Sequence, residues 1–223
     1  MNKKIDIKKI SVTAILSAVA YLCMFLFRFK VSFLTFDFKD AVLAVISFLY
    51  GPLYGVFSSL VVALVEFVSV SDTGIYGLIM NFISSAAFSG VCGLFYKYRR
   101  TLSGAILGSL IATLSMTAVM LVANIFITPF YMGVDRSVVI GMIPSLLLPF
   151  NLIKGIINAA ITMIIYKPIT GVFKKTGLAV SSPAKTDKRK FVLLAVLAAV
   201  VIALAVVVIV VVLNGSIEFV GKK

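Results

Sequence analysis

Long apolar runs alternate with short polar interruptions along the chain, and this alternation predicts its architecture. The runs are Ile10 to Phe27, Ala41 to Tyr50, Leu53 to Val70, Ile75 to Tyr96, Leu102 to Phe126, Val138 to Tyr166 and Phe191 to Leu213. About 20 mostly apolar residues carry a helix across the hydrocarbon core, and every run but the second approaches or exceeds that length. The second is cut short by GPLYG, so it either borrows residues from the connection VSFLTFDFKD or sits partly inside the bundle. The pattern reads as an all-α, polytopic membrane helix bundle. Residues 1–175 form a six-helix core, 176–190 a basic linker and 191–223 an appended seventh hydrophobic segment. The basic start MNKKIDIKK leads into an apolar run too long for a signal-peptide core of roughly 7 to 15 residues, so that run reads as the first span.

Polar residues inside the runs carry the functional information. In LLPFNLIKGIINAA, Asn151, Lys154 and Asn158 stand at i, i+3 and i+7, on one helical face. A lysine near the centre of a span costs about 2.5 to 3.5 kcal/mol on insertion scales, so it faces away from lipid. Two readings remain. In one, Lys154 is buried against a carboxylate or helix carbonyls and the asparagines hold helices together. In the other, preferred because intramembrane ionisable groups usually serve function, the stripe lines a cavity and binds a cargo. Glu66 lies within the third run near the break VSDTG, at a solvated end or a cavity rim; Asn81 and Asn124 add amides on the fourth and fifth runs. Asp37 or Asp40 suits the start of the second helix, where a carboxylate favours the dipole. Asparagine donates and accepts whereas lysine only donates. Amides and an ammonium among Phe, Tyr, Leu and Ile walls suit a flat heteroaromatic ligand with carbonyl and imide-type groups.

Composition narrows the classes. The chain is 61% hydrophobic, against roughly 45 to 50% for a soluble domain, and carries a net charge of +13. Its basic residues lie between spans, so the charge does not point to nucleic acid. With a cytoplasmic N-terminus, the inner connections hold Lys3, Lys4, Lys8, Lys9, Lys97, Arg99, Arg100, Lys167 and the linker cluster. The outer ones hold Arg28, Lys30, Lys39, Arg136, Lys222 and Lys223, an inward excess as the positive-inside rule requires. The second run must then count as a crossing. Histidine is absent, and with it the serine–histidine and HExxH arrangements of intramembrane proteolysis. No GxxxxGK[ST] phosphate loop is present, so ATP hydrolysis would need partner subunits. Cys23 and Cys92, both within apolar runs, indicate neither disulfide nor zinc site. The chain reads as a non-enzyme without a cofactor or metal.

Several stretches carry a resemblance. Ala14 and Ala18 in AxxxA spacing, FDFKDAVLAVISFLYGP from Phe36 to Pro52, GIYGLIMNF from Gly74 to Phe82, NIFITPFYMG from Asn124 to Gly133 and LPFNLIKG from Leu148 to Gly155 resemble the S components of energy-coupling-factor (ECF) vitamin transporters, in particular the riboflavin-specific type. The resemblance covers about residues 5–175. It implies a multi-pass protein of the cell membrane that captures riboflavin from outside. It also implies Asn124, Asn151 and Lys154 as contacts to the isoalloxazine, Ala14 and Ala18 as the docking motif for a transmembrane T subunit, and two ATPase subunits to complete the importer. A phosphorylated flavin, another vitamin, or a non-transporting membrane scaffold are the alternatives. The basic linker and seventh segment depart from the family's pattern.

Overall fold

A computed structural model describes residues 6–175 and 188–212. Eight helices and one small hairpin follow in order: α1 (Ile7–Leu26), β1 (Phe29–Val31), β2 (Leu34–Phe36), α2 (Lys39–Tyr50), α3 (Pro52–Ser69), α4 (Gly74–Tyr98), α5 (Leu102–Met132), α6 (Arg136–Gly141), α7 (Leu148–Lys175) and α8 (Lys188–Val212). A π-helical turn, Ile143–Leu147, joins α6 to α7. Helices α1, α3, α4 and α5, together with the segment Ile143–Phe173, are each long and apolar enough to cross a bilayer.

Helix α2 fills the inside of an arc formed by α1, α3, α4, α5 and α7 and packs on α1, α3, α4 and α7. Every residue from Lys39 to Leu49 is buried. This resolves the short second run: it gains only Lys39 and Asp40 from the connection and is a core helix, apolar all round because it is surrounded all round. The same connection hides the hairpin, whose strands pair Phe29 with Phe36 and Val31 with Leu34. Ser32, at φ 56°, turns it through the left-handed region. Three-residue strands are too short to show an alternating pattern.

Small residues set the close approaches. A methyl added to Gly55 would meet the Ser47 hydroxyl, and one on Gly155 would come within 2.6 Å of Thr113, so α3 and α7 seat against α2 and α5 only with glycine there. Gly108, in the GxxxG of α5, packs against Phe95 of α4. The fifth run is longer than its apolar stretch suggested, since α5 continues through Pro129 to Met132. Likewise α7 passes Lys167 and Pro168 to Lys175. Most of the basic linker, 176–187, lies outside the described residues. Helix α8 begins at Lys188 and lays one stripe against α7 and the hairpin: Leu194 joins the main core, while Ile202 and Ala205 pack with Val31, Phe36, Phe150 and Ile157.

Candidate functional site

The π-helical turn before α7 places its polar stripe. Pro144 and Pro149 cannot donate, and the turn closes instead through Leu147 N–H on the Met142 carbonyl at 3.0 Å. Asn151 then donates its amide to Leu147 O at 2.7 Å, fixing its side chain beside the helix. On α5, Asn124 does the same to Met120 O at 2.7 Å and accepts from Thr128 at 2.8 Å. These two asparagines and Lys154 are buried and face one cavity of about 240 Å³. Its walls include Glu66, Asn81 and Ser84, with Met80, Met120, Phe150, Tyr76 and Tyr131 as apolar surface and Leu34 and Thr35 of the hairpin as cover. Polar groups from α3, α4, α5 and α7 thus converge within an apolar enclosure, the arrangement of a small-molecule site.

Beneath the cavity lies a network of charges that sequence reading had not joined. Lys154 Nζ donates to Asp37 Oδ2 at 2.9 Å. Asp37 also lies 3.4 Å from Lys39 Nζ, which donates to Glu66 Oε2 at 2.7 Å. All four side chains are at least 95% buried. Burial alone pushes the Asp37 carboxyl up, but the Lys154 and Lys39 ammoniums beside it hold it down at about 2. Asp37 further accepts from the Lys39 amide at 3.3 Å, although the cap of α2 itself is Phe38. Asp40 is bonded to Ser85 of α4.

The two readings of the stripe therefore divide by residue. Lys154 is both ion-paired and cavity-lining; Asn151 and Asn124 line the cavity with Asn81 and Glu66. Asn158 does not. Its Oδ1 accepts from Ala41 N–H at 2.9 Å and its amide donates to the Asp37 and Lys154 carbonyls, so it bolts α2 to α7 one turn below the cavity. Glu66 is a buried partner of Lys39, not a solvated end residue. Lys39, counted from sequence as an outer-connection charge, is 1% exposed. The signal was available in FDFKD, where two carboxylates and a lysine abut an apolar run, but a partner 27 positions away in sequence cannot be read from spacing. Across the mouth, Arg28 donates to Val70 O at 3.1 Å and Lys30 meets Asp72 at 3.2 Å, tying the hairpin to the α3–α4 connection. Ala14 and Ala18 lie elsewhere, exposed in an apolar groove of about 440 Å³ between α1 and α3. Among the described residues no His/Cys/Asp/Glu group suits a metal ion.

A cavity with inward-facing amides and an ammonium, enclosed by membrane-spanning helices, defines a membrane-embedded solute-binding protein. Comparison with known proteins refines that class. The family described as ECF transporter, substrate-specific component, matches residues 8–166. The chain is 30% identical over 179 residues to the riboflavin transporter RibU of Staphylococcus aureus, covering 75% of this chain and 93% of that one. It is 30% identical over 183 residues to RibU of Streptococcus thermophilus, covering 75% and 85%, and 27% identical over 172 residues to the riboflavin transporter FmnP of Bacillus subtilis, covering 72% and 90%. A solved S component of a bacterial ECF transporter superposes with a TM-score of 0.64 at 30% identity, over 75% of this chain and 98% of that one. FolT bound with folic acid, at 22% identity, shares the fold with a TM-score of 0.51 over 74% of this chain and 96% of that one. The chain belongs to the family of ECF-transporter S components, the substrate-specific subunits of these membrane transporters.

Proposed function

We propose that this S component captures riboflavin from outside the cell and delivers it inward with a T subunit and two ATPase subunits. One observation carries the reading: Asn124 of α5 and Asn151 and Lys154 of α7 line one common cavity. Amides that donate and accept, beside an ammonium that donates, complement an imide and carbonyl edge, while Phe150, Tyr76 and Met80 supply surface for a flat ring. The names of the 30%-identical relatives support the same cargo. At about 240 Å³ the cavity lies near the lower end of the roughly 300 to 1,000 Å³ usual for ligand sites. Exposed Ala14 and Ala18 offer the T subunit a close-packing face. The N-terminus is cytoplasmic by the distribution of Lys and Arg.

Titrating the purified chain with riboflavin tests the cargo. Saturable quenching of flavin fluorescence is expected; its absence in a ligand-free, monodisperse preparation overturns the reading. A phosphorylated flavin would need basic groups at the outer opening, Arg28, Lys30 or Arg136. All three already have partners, in Val70 O, Asp72 and the Phe126 ring, which favours the unphosphorylated vitamin. Competition between riboflavin and its monophosphate separates the two.

A further inference from the structure

Glu66 on α3 and Lys154 on α7 both line the cavity, and each has bonding capacity left for a ligand. Among the described residues Lys154 has one side-chain partner, Asp37 Oδ2, while an ammonium carries three N–H groups, so two remain for the cavity. Glu66 gives Oε2 to Lys39 and keeps Oε1 for the cavity. One wall therefore presents a group that only donates and another a group that only accepts. Lys39 connects them. It is 1% exposed and, like Asp37, lines no part of the cavity. Its ammonium lies 2.7 Å from Glu66 Oε2 and 3.4 Å from Asp37 Oδ2, the same oxygen that receives Lys154 at 2.9 Å.

Neutralising two buried carboxylates is duty enough for a lysine, and that alone accounts for its effect on the fold. The way the charges are shared goes further. Asp37 Oδ2 serves two ammoniums, so its pull on Lys154 is divided; without Lys39 it would belong to Lys154 alone and draw that side chain down from the cavity. The joint itself is fixed, since Asp37 Oδ1 accepts the Lys39 main-chain amide at 3.3 Å and the Asn158 amide donates to the Asp37 and Lys154 carbonyls at 3.1 Å each. A change at Lys39 is thus passed on through side chains, directly to Glu66 and by way of Asp37 to Lys154. We propose that Lys39 is a positioning residue for cargo binding, which sets the cavity's acceptor on α3 and its donor on α7 at the separation the ligand requires. The inference rests on the riboflavin reading of this cavity.

Riboflavin titration, together with the absorption spectrum of the bound flavin, tests it on the full chain and on three variants. Lys39→Met/Glu66→Gln removes an ion pair whole, a change that buried sites often tolerate. Glu66→Gln alone leaves Lys39 on Asp37 and supplies the reference for loss of the carboxylate. The double variant should bind about tenfold more weakly than Glu66→Gln, the loss typical when a group that orients a binding residue is removed. Its bound-flavin band should also be displaced from that of Glu66→Gln, because charge beside the ring tunes a flavin's electronics. Asp37→Asn cuts the same link while leaving Lys39 paired with Glu66, and should displace the band of the unaltered chain. A purely structural Lys39 would lower the melting temperature only. A double variant whose folded fraction matches Glu66→Gln in affinity and band, or an unmoved band in Asp37→Asn, overturns the proposal. Absence of riboflavin binding by the unaltered chain overturns the cargo reading and this inference with it, which keeps the two failures distinct.

Discussion

Helices α7 and α8 have nearly the same length, 28 and 25 residues, and both are apolar enough to sit in a bilayer, yet they occupy opposite roles. The stripe of α7 that faces the core is polar: Asn151, Lys154, Asn158 and Thr162 are each at most 4% exposed. The stripe of α8 that packs inward is Leu194, Ala198, Ile202 and Ala205, while Leu193, Leu197 and Leu204 are more than half exposed. Hydrophobicity alone sends both into the membrane. What separates a working helix from a bracing one is the presence of groups that cannot face lipid and must find partners in the protein. Those partners, Asp37 for Lys154 and the start of α2 for Asn158, tie α7 to the central helix.

The comparison breaks most sharply at Lys154. Replacing it by Met keeps the bulk but leaves Asp37 with Lys39 alone, at 3.4 Å. Removing one member of a buried pair costs about 3 to 5 kcal/mol, and the lower end is expected because Lys39 remains. Thermal unfolding should show that loss, and riboflavin titration should show no binding. Pairing the change with Asp37→Asn should recover much of the stability without recovering binding. Should the double variant bind riboflavin normally, Lys154 would be a scaffold residue and the cargo contact would have to be reassigned.

Two neighbouring asparagines sharpen the same point within α7. Asn151→Ala should weaken riboflavin binding by about 1 to 3 kcal/mol, the cost of leaving a buried polar partner unsatisfied, with a smaller change in melting temperature. Asn158→Ala should do the reverse: it strips the Ala41 amide of its acceptor and lowers stability by about 1 to 3 kcal/mol, while dissociation constants measured on the folded fraction shift less. Equal effects on both readouts at both positions would mean that the cavity and the α2–α7 joint are one unit.

These contrasts also mark how far the sequence could be read. Spacing placed Asn151, Lys154 and Asn158 on one face, and a charge in a span had to point inward, so the bundle and most cavity residues were legible. Which turn of that face opens to a cavity was not, because Asn158 and Asn151 differ only in what α2 brings beside them. Lys39 was misjudged for a related reason: it looked solvated at the start of an apolar run, and for Glu66 a solvated end and a cavity rim could not be told apart, because only the packing of α2 between α3 and α7 buries the two together. The hairpin escaped because its strands are three residues long and its register is fixed by neighbours rather than by pattern.

The outer face of α1 offers a contrast that binding assays alone will miss. Ala14 and Ala18 are exposed and line a groove with no described element seated in it. Ala14→Leu and Ala18→Leu should leave riboflavin titration within about twofold of the unaltered chain, since surface substitutions rarely exceed 0.5 kcal/mol. Uptake by cells that depend on the transporter should fall to background if this face docks the T subunit. Uptake that survives both changes removes the docking role.

Truncation before Lys188 is expected to give the smallest effect. Helix α8 lies beyond the family match at residues 8–166, which argues that the cavity forms without it. Its contacts are nonetheless not empty, because Ile202 and Ala205 pack in the same cluster as Phe36 of the hairpin and Phe150 of the cavity wall. Exchanging lipid for protein around these side chains contributes van der Waals packing but little transfer free energy, and only the fraction transmitted through Phe150 reaches the ligand. A rise in the riboflavin dissociation constant of no more than about fivefold, or roughly 1 kcal/mol, is therefore expected, with the folded core intact. Loss of binding in a truncated chain that remains helical would mean that Phe150 and the hairpin hold their places only while α8 presses on them, and α8 would then belong with α7 as part of the site.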